Sequence, residues 1–303
     1  MSTVSEYFIA NNLTEWAFVP RAVAAETDGI AVLLPYRVHE PSASAYSSGT
    51  RQLRVGSFAA WNHYRALADK LKALARLLCT EFGFLKHEVR VAVNSGLGEK
   101  RCALEAGLGW MGRSGLLVNP RYGSACVIGL LLFPQIDGLS DLHPETLRAA
   151  PDARTTAVRE HGEPDVMRGA PMGCGSCTAC VNACPAGALT GGFDKSRCLQ
   201  YWMSRGSMPE ELAVYRGARL YGCDECVKAC PYTKRGQNAP ELELIEAGYS
   251  AELRRPGPLV PAADLAGKSA EEARAYFRGT ALGLSWLPFD DFSLFAAKQC
   301  GKG

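Results

Sequence analysis

The chain predicts an α/β (α+β) N-terminal domain followed by a smaller domain built around cysteines. Two observations carry this expectation. Apolar runs of strand length alternate with amphipathic helical stretches over the first 135 residues, and eight of the twelve cysteines fall between Cys174 and Cys230. Alternation of this kind reads as sheet and helix layers closing over one core. With 303 residues, 47% of them hydrophobic, the chain suffices for one large domain or two ordinary ones.

Residues 30–36 (IAVLLPY) form the first apolar run of strand length. Residues 58–82 predict a long amphipathic helix, because Leu67, Leu71, Leu74, Leu77 and Leu78 recur at helical spacing. A second strand is expected at 89–93. A helix at 99–106 then stops at the turn Gly107-Leu108-Gly109-Trp110-Met111-Gly112. Further strands are expected at 116–119 and 125–133. The latter holds the run VIGLLLF, which is far shorter than a membrane span, so no membrane association is expected.

From 136 to 172 the sequence turns polar, proline-bearing and weakly periodic, with one short helix expected around 144–150. Such a stretch is long for an unstructured connection within a compact domain. The tail carries a helix at 269–277, with Ser269 as N-cap and Glu271 and Glu272 in the first turn. Residues 285–298 are apolar enough to pack back on the body. The expected organisation is therefore a cofactor and substrate domain at 1–135, a linker or insertion at 136–172, a cysteine domain at 173–236 and a packed tail at 237–303.

The cysteines are arranged as Cys174, Cys177, Cys180 and Cys184-Pro185, then Cys198, then Cys223, Cys226 and Cys230-Pro231. In tight runs closed by Cys-Pro, three thiolates serve one cubane and the proline-flanked cysteine serves its neighbour. The spacing thus assigns Cys174, Cys177, Cys180 and Cys230 to one [4Fe–4S] cluster. Cys184, Cys198, Cys223 and Cys226 go to a second, in a ferredoxin-like domain that moves electrons. Zinc favours two ligand pairs around one ion and leaves the Cys-Pro pattern unexplained. Disulfides need an oxidising compartment, whereas residues 1–12 are polar and lack the apolar core of a signal peptide, so a cytoplasmic setting is expected. Cys79, Cys102 and Cys126 sit in apolar sequence and read as small buried hydrophobes, while Cys300 carries no signal. The net charge of +2 does not mark a nucleic-acid binder.

Taken together, Gly107-Leu108-Gly109-Trp110-Met111-Gly112-Arg113, Gly123-Ser124, Cys174-Gly175-Ser176-Cys177-Thr178-Ala179-Cys180 and Tyr221-Gly222-Cys223-Asp224 resemble the epoxyqueuosine reductase family, which is related to the reductive dehalogenases. The likeness runs from about 91 to 231, apart from 135–173. It implies an oxidoreductase acting at the last step of queuosine biosynthesis on tRNA, with cobalamin held beside two [4Fe–4S] clusters and a flavodoxin- or ferredoxin-type electron donor. It also implies a cofactor pocket. Gly107, Gly109, Gly112 and Gly123 would admit a flat corrin ring, because glycine permits close approach and positive φ. Trp110 would form an apolar wall, Arg113 would lie alongside, and Ser124 would donate a hydrogen bond. Read alone, the same turn is a helix stop feeding a strand, with Trp110 in the core.

The sequence departs from the family at three places. Asn94 stands where the resemblance expects an aspartate proton donor, and an amide cannot act as a general acid. Arg113 and Ser114 replace a lysine and an asparagine, and Leu130 replaces a glutamate. These changes imply a divergent short member with retained electron delivery and altered chemistry. Reduction of epoxyqueuosine in tRNA, and electron carriage to a corrinoid partner without a substrate of its own, are the alternatives. Arg197, Arg205, Arg216, Arg219, Lys228, Lys234 and Arg235 are interleaved with Tyr201, Trp202, Tyr215 and Tyr221. They read either as a nucleic-acid patch or, diluted by Glu210, Glu211, Asp224 and Glu225, as cations offsetting cluster charge. His63 is expected on a helix surface or facing the cofactor pocket.

Overall fold

The computed structural model describes residues 2–20, 27–40, 51–136 and 173–301. The expected linker, with its helix around 144–150, lies outside the described residues apart from residue 136. In chain order the elements begin with helix α1 (Ser2–Ala10), strands β1 (Glu15–Phe18), β2 (Asp28–Pro35) and β3 (Gln52–Val55), and helices α2 (Ser57–Ala60) and α3 (His63–Phe82). Strand β4 (Arg90–Val93), helix α4 (Glu99–Glu105), the hairpin strands β5 (Trp110–Met111) and β6 (Leu117–Val118), and β7 (Cys126–Phe133) follow. The cysteine-rich stretch contributes α5 (Ala179–Asn182), α6 (Leu199–Arg205), α7 (Glu210–Ala213), β8 (Arg219–Tyr221) and α8 (Glu225–Ala229). Beyond it lie α9 (Pro231–Gly236), α10 (Pro240–Ala247), β9 (Leu259–Pro261), α11 (Ala270–Tyr276) and α12 (Phe289–Gln299).

The chain falls into two compact units, each drawn from three stretches. Met1–Tyr36, Tyr64–Cys177 and Pro231–Gly248 make the first; Arg37–His63, Thr178–Cys230 and Tyr249–Gly303 make the second. The units are interleaved along the sequence, where local patterning suggested consecutive segments. Pairing of a three- or four-residue strand such as β3 with partners far along the chain leaves no local trace.

In the first unit, β1, β2, β7 and β4 form a sheet in that order, with every neighbouring pair antiparallel. All eight residues of β2 are buried, as befits a central strand covered on both faces. Side chains alternate between faces. Ala31, Leu33, Ala92 and Leu130 point to one side, where they pack with Cys102, Ala103 and Ala106 of the α4 region. The other side receives α3, which approaches so closely that a Cβ at Gly129 of β7 would lie 2.6 Å from Leu71 Cδ1. Leu67, Leu71, Leu74 and Leu78 are buried there, but Leu77 is 39% exposed, so the apolar face is narrower than its spacing suggested.

The long helix expected at 58–82 is broken. Trp61 is extended (φ −118°, ψ 155°) between α2 and α3. The Asn62 backbone N–H donates to the Leu253 carbonyl at 2.6 Å, and its side-chain amide donates to the Gly279 carbonyl at 3.1 Å. These distant partners hold the backbone out of helical geometry.

In the second unit, β3 lies between β8, to which it is parallel, and β9, to which it is antiparallel. Phe277, Phe289 and Phe292 anchor its core, their ring centroids 5.7–6.4 Å apart. The N-cap expected at Ser269 is present as a capping box. The Glu272 N–H donates to Ser269 Oγ at 3.2 Å, and the Ser269 N–H donates to Glu272 Oε2 at 2.8 Å. No helix among the described residues is long and apolar enough to cross a membrane.

Candidate iron–sulfur centre

Helices α5 and α8 pack together in the second unit and carry Cys180 and Cys226. Cys184 lies just past α5, Cys198 caps the N-terminus of α6, Cys223 precedes α8 and Cys230 caps its C-terminus. Burial pushes the Cys226 thiol far up, and Cys223, Cys198, Cys180 and Cys184 push it further by their charge. Cys223 is raised to about 11, chiefly by burial. Cys198 is raised by burial too, with Cys184 adding to it. Cluster ligation requires thiolates, so a bound iron centre would displace these protons.

The same sulfurs are met by donors. The Ala188 N–H donates to Cys184 Sγ at 3.2 Å. Backbone N–H groups of Tyr201 and Gln200 favour the Cys198 thiolate, and that of Glu225 favours Cys223. The four positions expected to hold the second cluster therefore share one field. Among the described residues, no three or more His, Cys, Asp or Glu side chains are gathered for a single metal ion. The case for ligation rests on this shared field and on the cysteine spacing.

The segment bearing Cys223 is pinned from behind. Asp224 Oδ2 accepts the Ser57 N–H at 2.7 Å, and Gly222 (φ +93°) abuts Gly56, whose N and Cα would lie 2.6 Å from an added Cβ. Three cations of this stretch have protein partners. Arg219 pairs with Glu225 at 2.7 Å, and Arg216 pairs with Asp291 at 3.0 Å beneath the Phe295 ring. Arg197 donates to the Ala186 carbonyl at 2.8 Å.

In the first unit, the Cys177 N–H donates to the Cys174 carbonyl at 2.9 Å. Three side chains surround this turn. Trp110 directs its indole N–H to Cys174 Sγ at 3.5 Å, Arg113 donates to the Gly175 carbonyl at 2.9 Å, and the Tyr232 hydroxyl donates to the Gly173 carbonyl at 2.8 Å.

The glycines expected to line a cofactor surface are used by the chain itself. Gly107 ends α4: its N–H donates to the Leu104 carbonyl, and the Leu108 N–H donates to the Ala103 carbonyl, both at 3.0 Å. A Cβ at Gly109 would overlap the Val118 carbonyl, and one at Gly112 would lie 2.7 Å from Val118 Cγ2. Gly123 (φ +66°) abuts the Thr233 backbone in α9, and the Ser124 N–H donates to Thr233 Oγ1 at 3.0 Å. The close approach that Gly109, Gly112 and Gly123 permit is thus to protein. These three glycines do not fit a corrin-lining role.

Asn94 is exposed at the end of β4 with φ 52°, a left-handed conformation that asparagine tolerates. Leu130 is fully buried in the core of its unit. Glu99, at the start of α4, is buried and takes the Ser95 N–H, closing the loop after Asn94. His63 is buried rather than on a helix surface. Its Nδ1 lies 2.9 Å from the Tyr249 hydroxyl, and burial, then the charge of His39, lower its pKa to about 3. Of the cysteines read as buried hydrophobes, Cys102 is buried, while Cys79 and Cys126 are half-buried.

Residues 173–233 match the family model described as a 4Fe-4S double cluster binding domain. An epoxyqueuosine reductase of Lactococcus garvieae is 34% identical over 202 residues, covering 63% of this chain and 49% of that protein. One of Shigella dysenteriae is 29% identical over 297 residues, covering 87% and 66%. The chain spans about half the length of the curated relatives it matches. Solved epoxyqueuosine reductases of Streptococcus thermophilus and Bacillus subtilis share the fold. Their TM-scores are 0.68 and 0.66, at 18% and 19% identity, over 99% and 100% of this chain and 80% and 83% of theirs.

Fold and cysteine pattern together define an α/β iron–sulfur protein with a double [4Fe–4S] cluster domain. Within that class, the chain is a distant relative of the epoxyqueuosine reductases.

Proposed function

We propose that this chain is an iron–sulfur reductase. It would accept electrons from a flavodoxin- or ferredoxin-type donor and pass them through two [4Fe–4S] clusters. Cys174, Cys177, Cys180 and Cys230 hold one cluster, and Cys184, Cys198, Cys223 and Cys226 hold the other. The observation that carries this reading is the gathering of the second set of thiols in one field, within a segment matching a double cluster binding model. Bound clusters supply one-electron transfer. The chain's own part is to hold the thiolates and to aim the N–H groups of Ala188, Gln200, Tyr201 and Glu225 at them.

The terminal acceptor is a separate matter. The relatives are named for epoxyqueuosine reduction, and one solved relative was crystallised with a modified tRNA stem loop. Those names favour epoxyqueuosine in tRNA as acceptor. The exposed amide of Asn94 and the buried Leu130 favour a different one, because neither supplies an acid at the expected face. Mass spectrometry of tRNA from a strain lacking this gene decides between them. Accumulated epoxyqueuosine supports the first acceptor, and unchanged queuosine removes it. For cobalamin, an anaerobic titration with cob(II)alamin followed by EPR is the test; tight base-off binding would support a bound corrinoid, and no binding would favour electron carriage to a partner.

A further inference from the structure

We propose that the indole N–H of Trp110 raises the reduction potential of the cluster held by Cys174. The hairpin corner from Trp110 to Arg113 is then the device that aims it. This inference rests on Cys174 being a cluster ligand, as assigned above.

The geometry around Cys174 is unusually determined for an exposed turn. Trp110 Nε1 lies 3.5 Å from Cys174 Sγ. The ring covers Gly173 so closely that an added Cβ would stand 2.7 Å from Trp110 Cδ2, and Gly173 has φ +93°, so only glycine fits under it. Tyr232 meets the same indole edge-on, with centroids 5.0 Å apart and planes at 75°, while its hydroxyl holds the Gly173 carbonyl. Arg113 holds the Gly175 carbonyl on the far side of the cysteine. The residues before and after Cys174 are therefore each tied by a side chain, and the sulfur between them receives the indole N–H.

Packing alone would not require this orientation. A partly buried tryptophan ordinarily finds an oxygen acceptor for its N–H, and here the acceptor is a ligand sulfur. One-electron reduction adds a negative charge to the cluster and its four thiolates. A hydrogen bond to a ligand sulfur stabilises that more negative state and moves the potential upward. The Arg113 guanidinium, with Nε buried and unpartnered among the described residues, adds positive charge beside the same turn and acts in the same direction. At Cys184, Cys198 and Cys223 the donors are backbone N–H groups, which only a backbone-distorting proline would remove. At Cys174 the donor is a side chain, so its contribution can be deleted cleanly.

Trp110→Phe keeps an aromatic ring over Gly173 and removes the N–H. In the full chain, reconstituted anaerobically, an EPR-monitored redox titration should show the same iron content as the parent. The midpoint of the Cys174 cluster should move to more negative potential while that of the other cluster stays in place. Unchanged midpoints at full iron content would overturn the proposal, as would an equal shift of both clusters. Should the smaller ring cost iron, β-(3-benzothienyl)alanine at position 110 keeps the bicyclic shape and replaces the N–H by sulfur. Loss of iron in that variant too would reduce Trp110 to packing support and also overturn the proposal. A Cys174→Ser control separates the two levels: if both clusters survive it unaltered, the ligand assignment is at fault.

Discussion

The carboxylate of Asp224 accepts the backbone N–H of Ser57 at 2.7 Å, tying the residue after Cys223 to the first turn of α2. Asp224 is buried, so the bond is charge-assisted and shielded from water. Asp224→Ala strands the Ser57 N–H and should cost about 2 kcal/mol. That corresponds to roughly 4–8 °C in the thermal midpoint of the reconstituted protein. Asp224→Asn, which keeps an acceptor, should lose less, and equal losses would mean that the bond is not the cause.

His63 makes stability depend on pH. Its folded pKa of about 3 lies below the ordinary 6.5, so below pH 6.5 the unfolded chain takes up a proton that the folded chain refuses. Stability from this residue is complete above pH 6.5 and declines as pH falls towards 3. Between pH 6.5 and 5 the loss is about 2 kcal/mol. Thermal midpoints measured across that range should fall more steeply in the parent than in His63→Asn. Parallel slopes would remove His63 as the source.

Gly123 lies against the α9 backbone with positive φ, so Gly123→Ala meets both an overlap and a strained conformation. The expected cost is about 1–3 kcal/mol. Hydrogen exchange should show it first at Ser124, whose N–H is held by Thr233. Normal protection there would contradict the packing account.

Cys184→Ser tests crossed ligation. It should damage the cluster that also uses Cys198, Cys223 and Cys226, leaving about four iron atoms and the spectrum of the Cys174 cluster. Loss of the Cys174 cluster alone would reverse the assignment.

The parts legible in sequence were those written locally. Cysteine spacing, the apolar runs of β2 and β7, and the Ser269 cap need no distant partner to be recognised. Strands β1, β3, β8 and β9 have only three or four residues, too few for a period to emerge. The helix break at Trp61 was invisible because Leu253 and Gly279 cause it. The glycines were recognised as sites of close approach, but sequence does not say what approaches. At Gly109 it is the Val118 carbonyl, and at Gly123 it is Thr233. His63 was misplaced for the same reason: its burial beside Tyr249 depends on a residue far along the chain.

The central claim is that eight cysteines hold two cubanes. Iron and acid-labile sulfide per chain, measured after anaerobic reconstitution, test it most directly. The account predicts about eight of each, and a clean value near four would contradict it.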